Sequence, residues 1–213
     1  MPLFLTESLT EGGVLGIWEI TESMQELTQL SLPNPYDADY LAEVHHPERC
    51  RQTLASRVLA RQLLAAQAEN YAGVAKDNLG KPYLPGHAYH ISLSHTKGFA
   101  AVLLHRYRQV GIDIEAVSDK LSRVMPRFLT KPEQTGAGDQ LDKLAVYWCA
   151  KEAVYKVYRP KSLSFREIEV KDFELAPEGT LSIIINTPEE KKELSVYYRR
   201  IATFSMAWVL AER

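Results

Sequence analysis

Two long stretches of helical periodicity, each followed by short runs of strand-forming residues, limit most strongly what this chain can fold into. From Pro47 to Gln67, Leu54, Val58, Leu59, Leu63 and Leu64 recur at helical spacing. A second helix is expected from Leu141 to Tyr158. Before, between and after them lie runs of four to eight apolar and β-branched residues broken by turn signals, the usual mark of short strands. These runs are Val14 to Ile20, Tyr89 to Leu93, Phe99 to His105, Val110 to Glu115, Glu167 to Phe173, Thr180 to Ile185, Leu194 to Ile201 and Ser205 to Leu210. Ser94 to Gly98 is expected to turn one hairpin, Gly80-Lys81-Pro82 to form another turn, and the region from Asp119 to Gln134 to be helical. Laid side by side, the two parts of the chain follow a similar order of strand, helix and short antiparallel strands, and a duplication would put the boundary near Arg106–Gln109. A site in the cleft between the halves is expected. Gly16-Ile17-Trp18-Glu19-Ile20 echoes Gly111-Ile112-Asp113-Ile114-Glu115, although two β-rich stretches can share five such residues by chance.

Composition sets the class. Of 213 residues, 46% are hydrophobic and 24% charged, an ordinary globular balance that can build a core without disulfides. Cys50 and Cys149 are the only cysteines and match no metal-ligand spacing, which suits a reducing cytoplasm. The start of the chain lacks the basic region of a signal peptide, and no apolar run approaches the ~18 residues of a membrane span. A net charge of −2 gives no general attraction to nucleic acid, so an anionic ligand needs a local basic cluster.

The chemistry gathers in a few places. Asp113 and Glu115 stand two apart in Val-Gly-Ile-Asp-Ile-Glu, so a strand projects both carboxylates to one side and Ile112 and Ile114 to the other. Two anions side by side repel unless a cation lies between them, and magnesium suits such hard oxygen ligands and phosphates. Alone, the pair is equally two solvated acids at a strand end. On the second helix, Trp148, Lys151, Glu152, Tyr155 and Lys156 fall within an arc of about 140°. That stripe sets two cations around one carboxylate and flanks them with aromatics, though an exposed Glu152–Lys156 pair on an amphipathic helix has the same spacing. Ser94-His95-Thr96 places a hydroxyl and an imidazole where a phosphate could bind, and no Gly-x-Ser-x-Gly elbow surrounds Ser94. His45, His46, Arg49, Arg51, Arg57 and Arg61 form a basic stretch broken only by Glu48, readable as a solvated face or as a landing site for a phosphate.

In order, Gly80-Lys81-Pro82, Ser94-His95, Val110 to Glu115 and Trp148 to Lys156 resemble the 4′-phosphopantetheinyl transferases of the surfactin-synthetase-activating, pseudo-dimeric type. That family's pattern is a GKP turn, a Ser-His turn, a (V/I)G(I/V)D(I/L)E strand and a W-x-x-K-E-(S/A)-x-x-K helix. Thr96 stands where serine is common and keeps the hydroxyl. The resemblance implies an α+β fold of two similar halves, residues 1–106 and 107–213, each a small antiparallel sheet packed on a long helix, with the active site in the cleft between them. It also implies a transferase with holo-[acyl-carrier-protein] synthase activity. Its donor would be coenzyme A, its acceptor a serine of an apo acyl or peptidyl carrier protein, and its other product adenosine 3′,5′-bisphosphate. Asp113, Glu115 and Glu152 are then the expected magnesium ligands, Glu152 the base and Lys156 a further catalytic group. Lys81, Ser94, His95, Lys151 and Lys156 are the expected coenzyme A contacts, and the chain is expected to be a cytoplasmic monomer. The non-enzymatic alternative is a coenzyme A or carrier-protein binding module. A metal-dependent nuclease would need a broad basic groove, which a pI near 6.3 does not favour. A P-loop kinase would need a Gly-x-x-x-x-Gly-Lys-Ser/Thr run that is missing here.

Overall fold

The residues that pattern as buried strands pair into two antiparallel sheets, and each sheet takes one long helix on one face. A computed structural model of the chain describes residues 3–31, 34–158, 163–189 and 191–211. The chain divides into two compact units, Met1–Gln109 and Val110–Arg213.

In the first unit the elements run β1 (Leu3–Leu9), a 3-10 turn (Thr10–Gly12), β2 (Gly13–Glu19), α1 (Met24–Ser31), α2 (Pro35–Ala42), α3 (Pro47–Ala66), β3 (Ala75–Lys76), β4 (Pro82–Tyr83), β5 (His90–Thr96) and β6 (Phe99–His105). The main sheet has the order β1-β2-β6-β5, and β3 and β4 form a separate small hairpin. Alternation along β2 puts Val14, Trp18 and Ile20 into the cluster formed with Leu54, Val58, Leu59 and Leu63 of α3. Gly16, on the same side of the strand, lets the helix come close: an added Cβ there would lie 2.9 Å from Leu59 Cδ1.

In the second unit the order is β7 (Val110–Ala116), α4 (Lys120–Phe128), α5 (Lys131–Ala137), α6 (Leu141–Tyr158), β8 (Ile168–Val170), β9 (Glu178–Asn186), β10 (Lys191–Ile201) and β11 (Phe204–Leu210), in a sheet ordered β7-β11-β10-β9-β8. In both units a strand (β2, β7) is followed by three helices and pairs with the unit's last strand (β6, β11), β1 being an extra edge strand of the first. The α6 side of the second sheet carries Ala207, Val209 and Ala211, which join Ala145, Cys149, Ala153 and Val157 in one core cluster. Capping explains the break between α4 and α5, where one helical region was expected. Thr130 and Glu133 form a capping box that starts a new helix.

Other expectations also shift. Leu3–Leu9 and the short helices α1 and α2 were not foreseen. Ser94 and His95 belong to β5 and not to a turn, because the hairpin closes in two residues, Lys97 and Gly98, with Gly98 at φ +79°. Among the described residues no helix is long and apolar enough to cross a membrane.

The tightest packing of the second unit is at Gly111, where a Cβ would overlap the carbonyl oxygen of Ala153 in α6. A backbone atom cannot swing aside, so Gly111→Ala should destabilise the protein by on the order of 3 kcal/mol. Urea unfolding would check this, and a loss below about 1 kcal/mol would show that α6 can lift off β7.

Candidate functional site

Because α6 lies directly on β7, the α6-facing row of that strand is Gly111, Asp113 and Glu115, and the helix supplies the neighbours. Lys156 donates to Asp113 Oδ1 at 2.8 Å and to the Ile112 carbonyl oxygen at 2.7 Å. Asp113 is buried and Lys156 partly so, which makes this a shielded ion pair. Burial first, and the Asp113 charge second, hold the Glu115 carboxyl above its ordinary range, opposed by Lys120 and a hydrogen bond from the Ala116 N–H. The Cys149 thiol, buried under the helix and donating to the Ser205 carbonyl oxygen at 3.2 Å, is pushed well up by burial and by both carboxylates. It is a packing group and no nucleophile.

Glu152 lies one turn before Lys156 on α6 and is half-buried. Asp113, Glu115, Glu152 and Lys156 therefore all belong to the β7–α6 layer. A pair of hard-oxygen carboxylates on one strand face, one of them disfavoured as an anion by the other, is a donor set that fits magnesium. Among the described residues no group of three or more His, Cys, Asp or Glu side chains is gathered as a metal site.

Lys151 is placed elsewhere. Its side chain is fully buried, donating to Glu133 at 2.8 Å and to the Phe165 carbonyl oxygen at 3.0 Å. Burial lowers its pKa and Glu133 opposes that shift. Helical spacing put Lys151 on the stripe with Glu152, but at the edge of that stripe, where the acid of α5 takes it inward. Glu133, which no expectation included, is the centre of this network: it also accepts from the Thr130 N–H and hydroxyl and from the Val170 N–H. Its signal was readable as Thr-x-x-Glu ahead of a helix. Phe165, which nothing in its sequence context marks, stacks on both Trp148 and Tyr155, at 5.8 and 5.3 Å. With Phe128, Leu121 and Lys120 it helps line a slot of about 270 Å³ that reaches Glu115 and Arg127.

The expected residues of the first unit are less closely grouped. Lys81 donates to Gln109 Oε1 at 2.8 Å, and its ammonium lowers the pKa of His90 beside the effect of burial. His90 begins β5 and His95 lies five residues further, roughly 16 Å along an extended strand. Ser94 and His95, as successive strand residues, project to opposite faces, so the strand does not bring them together. Arg57 is buried on Asp37 at 2.9 Å and is a core ion pair, while Arg51 pairs with Glu48 at 3.1 Å.

The raised Glu115 has a testable sign. Its carboxyl binds a proton more readily folded than unfolded, so without added magnesium its charge destabilises the protein at neutral pH, and this effect fades as pH falls toward the ordinary carboxylate value. Glu115→Gln should therefore melt higher than the parent at pH 7 in chelator, with the difference shrinking at pH 5. Equal melting at both pH values would mean that the two acids do not repel.

No curated protein matches the chain. A family model does: residues 109–209, nearly the whole second unit with Asp113, Glu115, Lys151, Glu152 and Lys156 inside it, match the 4′-phosphopantetheinyl transferase superfamily.

Proposed function

We propose that the chain transfers the 4′-phosphopantetheine group of coenzyme A to a serine of an apo carrier protein, in the manner of the surfactin-synthetase-activating transferases. One observation carries the reading. Within the matched residues, paired carboxylates on β7 meet a lysine from α6, which is the equipment a pyrophosphate needs. Asp113, Glu115 and Glu152 would hold magnesium, which supplies neutralisation of the charge that develops on the leaving phosphate. Glu152 takes the proton of the attacking serine hydroxyl, directly or through a water. The serine oxygen bonds to the β-phosphorus, the bond from that phosphorus to the bridging oxygen breaks, and adenosine 3′,5′-bisphosphate leaves. Lys156 exchanges its bond to Asp113 for one to a phosphate oxygen, as a mobile point charge. Lys81, Ser94 and His95 are assigned to the nucleotide end of coenzyme A. Lys151, turned into the core, supports the helix that carries Glu152. The reading takes the enzyme as a cytoplasmic monomer.

The test is mass spectrometry of an apo carrier protein incubated with the chain, coenzyme A and magnesium. A gain of one phosphopantetheine is expected, and binding without any gain would favour the binding-module alternative. Asp113→Ala and Glu152→Ala should each lower the rate at least about a hundredfold with little loss of folding. Near-parental transfer by either at saturating magnesium would remove that residue from the site.

Acceptor docking is a separate matter. On α4 and the start of α5, Phe128 and Leu129 are core residues, but Arg123, Arg127 and Lys131 are exposed. A partner acidic around its serine would meet them at the rim of the Glu115 slot. Arg127→Glu should raise the KM for the carrier several-fold and leave that for coenzyme A unchanged, and added salt should slow transfer at low carrier concentration. An unaltered carrier KM would exclude this surface.

A further inference from the structure

On β11 the row facing α6 reads Ser205, Ala207, Val209 and Ala211, apolar except for its first member. Ser205 stands directly opposite Glu115, and Ala207 opposite Asp113. Residues so paired project to one face with Cβ atoms roughly 4.5–5.5 Å apart, whereas the diagonal to Asp113 is roughly 7–8 Å. Ser205 has no exposed surface, and among the described residues its hydroxyl has no hydrogen-bond partner. Its main chain is accounted for, since the carbonyl oxygen accepts from the Cys149 thiol. A buried donor with nothing to bond is disfavoured, and alanine would fill the same space without that penalty. The side chain directly across the ladder on this face is the Glu115 carboxylate.

We infer that Ser205 is a positioning residue for Glu115: when a divalent cation shared with Asp113 binds, its hydroxyl donates to one carboxylate oxygen of Glu115 and leaves the other directed at that cation. The inference rests on the proposed cation at Asp113 and Glu115, and adds to it a group from the neighbouring strand. The division of roles follows from the face itself. Asp113 has Lys156 to orient it and a featureless alanine across the ladder. Among the described residues Glu115, nearer the end of β7, has no side-chain hydrogen bond to α6, and the serine across the ladder is placed to supply one.

The test uses the full chain and manganous ion as a visible substitute for magnesium, counting free ion by electron paramagnetic resonance and following thermal melting in parallel. Removing an orienting bond to a ligand typically weakens metal binding by 10- to 100-fold. Ser205→Ala should therefore raise the Kd for manganous ion about tenfold, yet melt no lower than the parent in chelator. Ser205→Thr, which keeps the hydroxyl, should bind the ion nearly as the parent does. If the parent binds and Ser205→Ala binds equally well, the role of Ser205 is overturned and the cation reading stands. A lower melting temperature of Ser205→Ala in chelator would make the hydroxyl a structural group and overturn the role as well. No binding by the parent would overturn the cation reading and this inference with it.

Discussion

The arrangement of the second unit depends on how closely α6 can approach β7. At Gly111 the helix backbone occupies the volume a side chain would need, with the Ala153 carbonyl resting on the strand. Small residues continue the contact on both sides, with Cys149, Ala150 and Ala153 on the helix and Ala207 and Ser205 on β11. That approach brings the Lys156 ammonium down to Asp113 and to the carbonyl oxygen beside it. A bulkier seam would lift the helix by the width of a methyl group, and a 2.8 Å ion pair would become a solvent-separated one. Packing and chemistry are thus one constraint here, since the residues that let the helix sit down carry no charge themselves.

A second constraint acts from the far side of α6. Glu133 accepts four hydrogen bonds, from Thr130 twice, from Lys151 and from Val170, so a fully desolvated carboxylate is saturated. Breaking such a pair by removing one partner generally costs about 3–5 kcal/mol, although replacing both by apolar groups can be neutral. The pair therefore specifies arrangement more than it adds stability. It ties the start of α5, the middle of α6 and β8 together, and through the Phe165 carbonyl it holds the aromatic ring stacked on the Glu152 face of the helix.

What could be read from residues alone follows from how local each signal is. The two long helices and the strand carrying Asp113 and Glu115 have strong internal periodicity, and their extents lie within a residue or so of the expected ones. Leu3–Leu9 did not declare itself because an edge strand pairs on one side only and because Thr6, Glu7 and Ser8 follow one another and break the apolar run. The Ser94–His95 segment looked like a turn because its polar residues sit beside Lys97-Gly98, yet a glycine at positive φ needs only two residues to reverse the chain. Lys151 was the misleading case. Helical spacing gives an angle around the axis but not what waits there, and Glu133 is brought to it by a separate helix. Ser205 was beyond reach for the same reason, since its significance lies in the register of β11 against β7.

The two units fill corresponding strand positions beneath a long helix with different residues. Gly16 of β2 and Gly111 of β7 both mark where a long helix rests on the strand. Two and four residues on, on the same face, the first unit places Trp18 and Ile20, and the second places Asp113 and Glu115. Trp18 and Ile20 bury apolar surface in the cluster with α3, the indole N–H of Trp18 donating to Glu22 at 3.2 Å, and each contributes the roughly 1.5–3 kcal/mol or more of a buried large side chain. Asp113 and Glu115 forgo that gain and must be compensated, by Lys156 in one case and by a raised pKa in the other. A carboxylate row in this position is an expensive way to build a core. Among the described residues such a row lies on β7 and not on β2, which is the physical reason for placing the proposed cation on the second unit's strand.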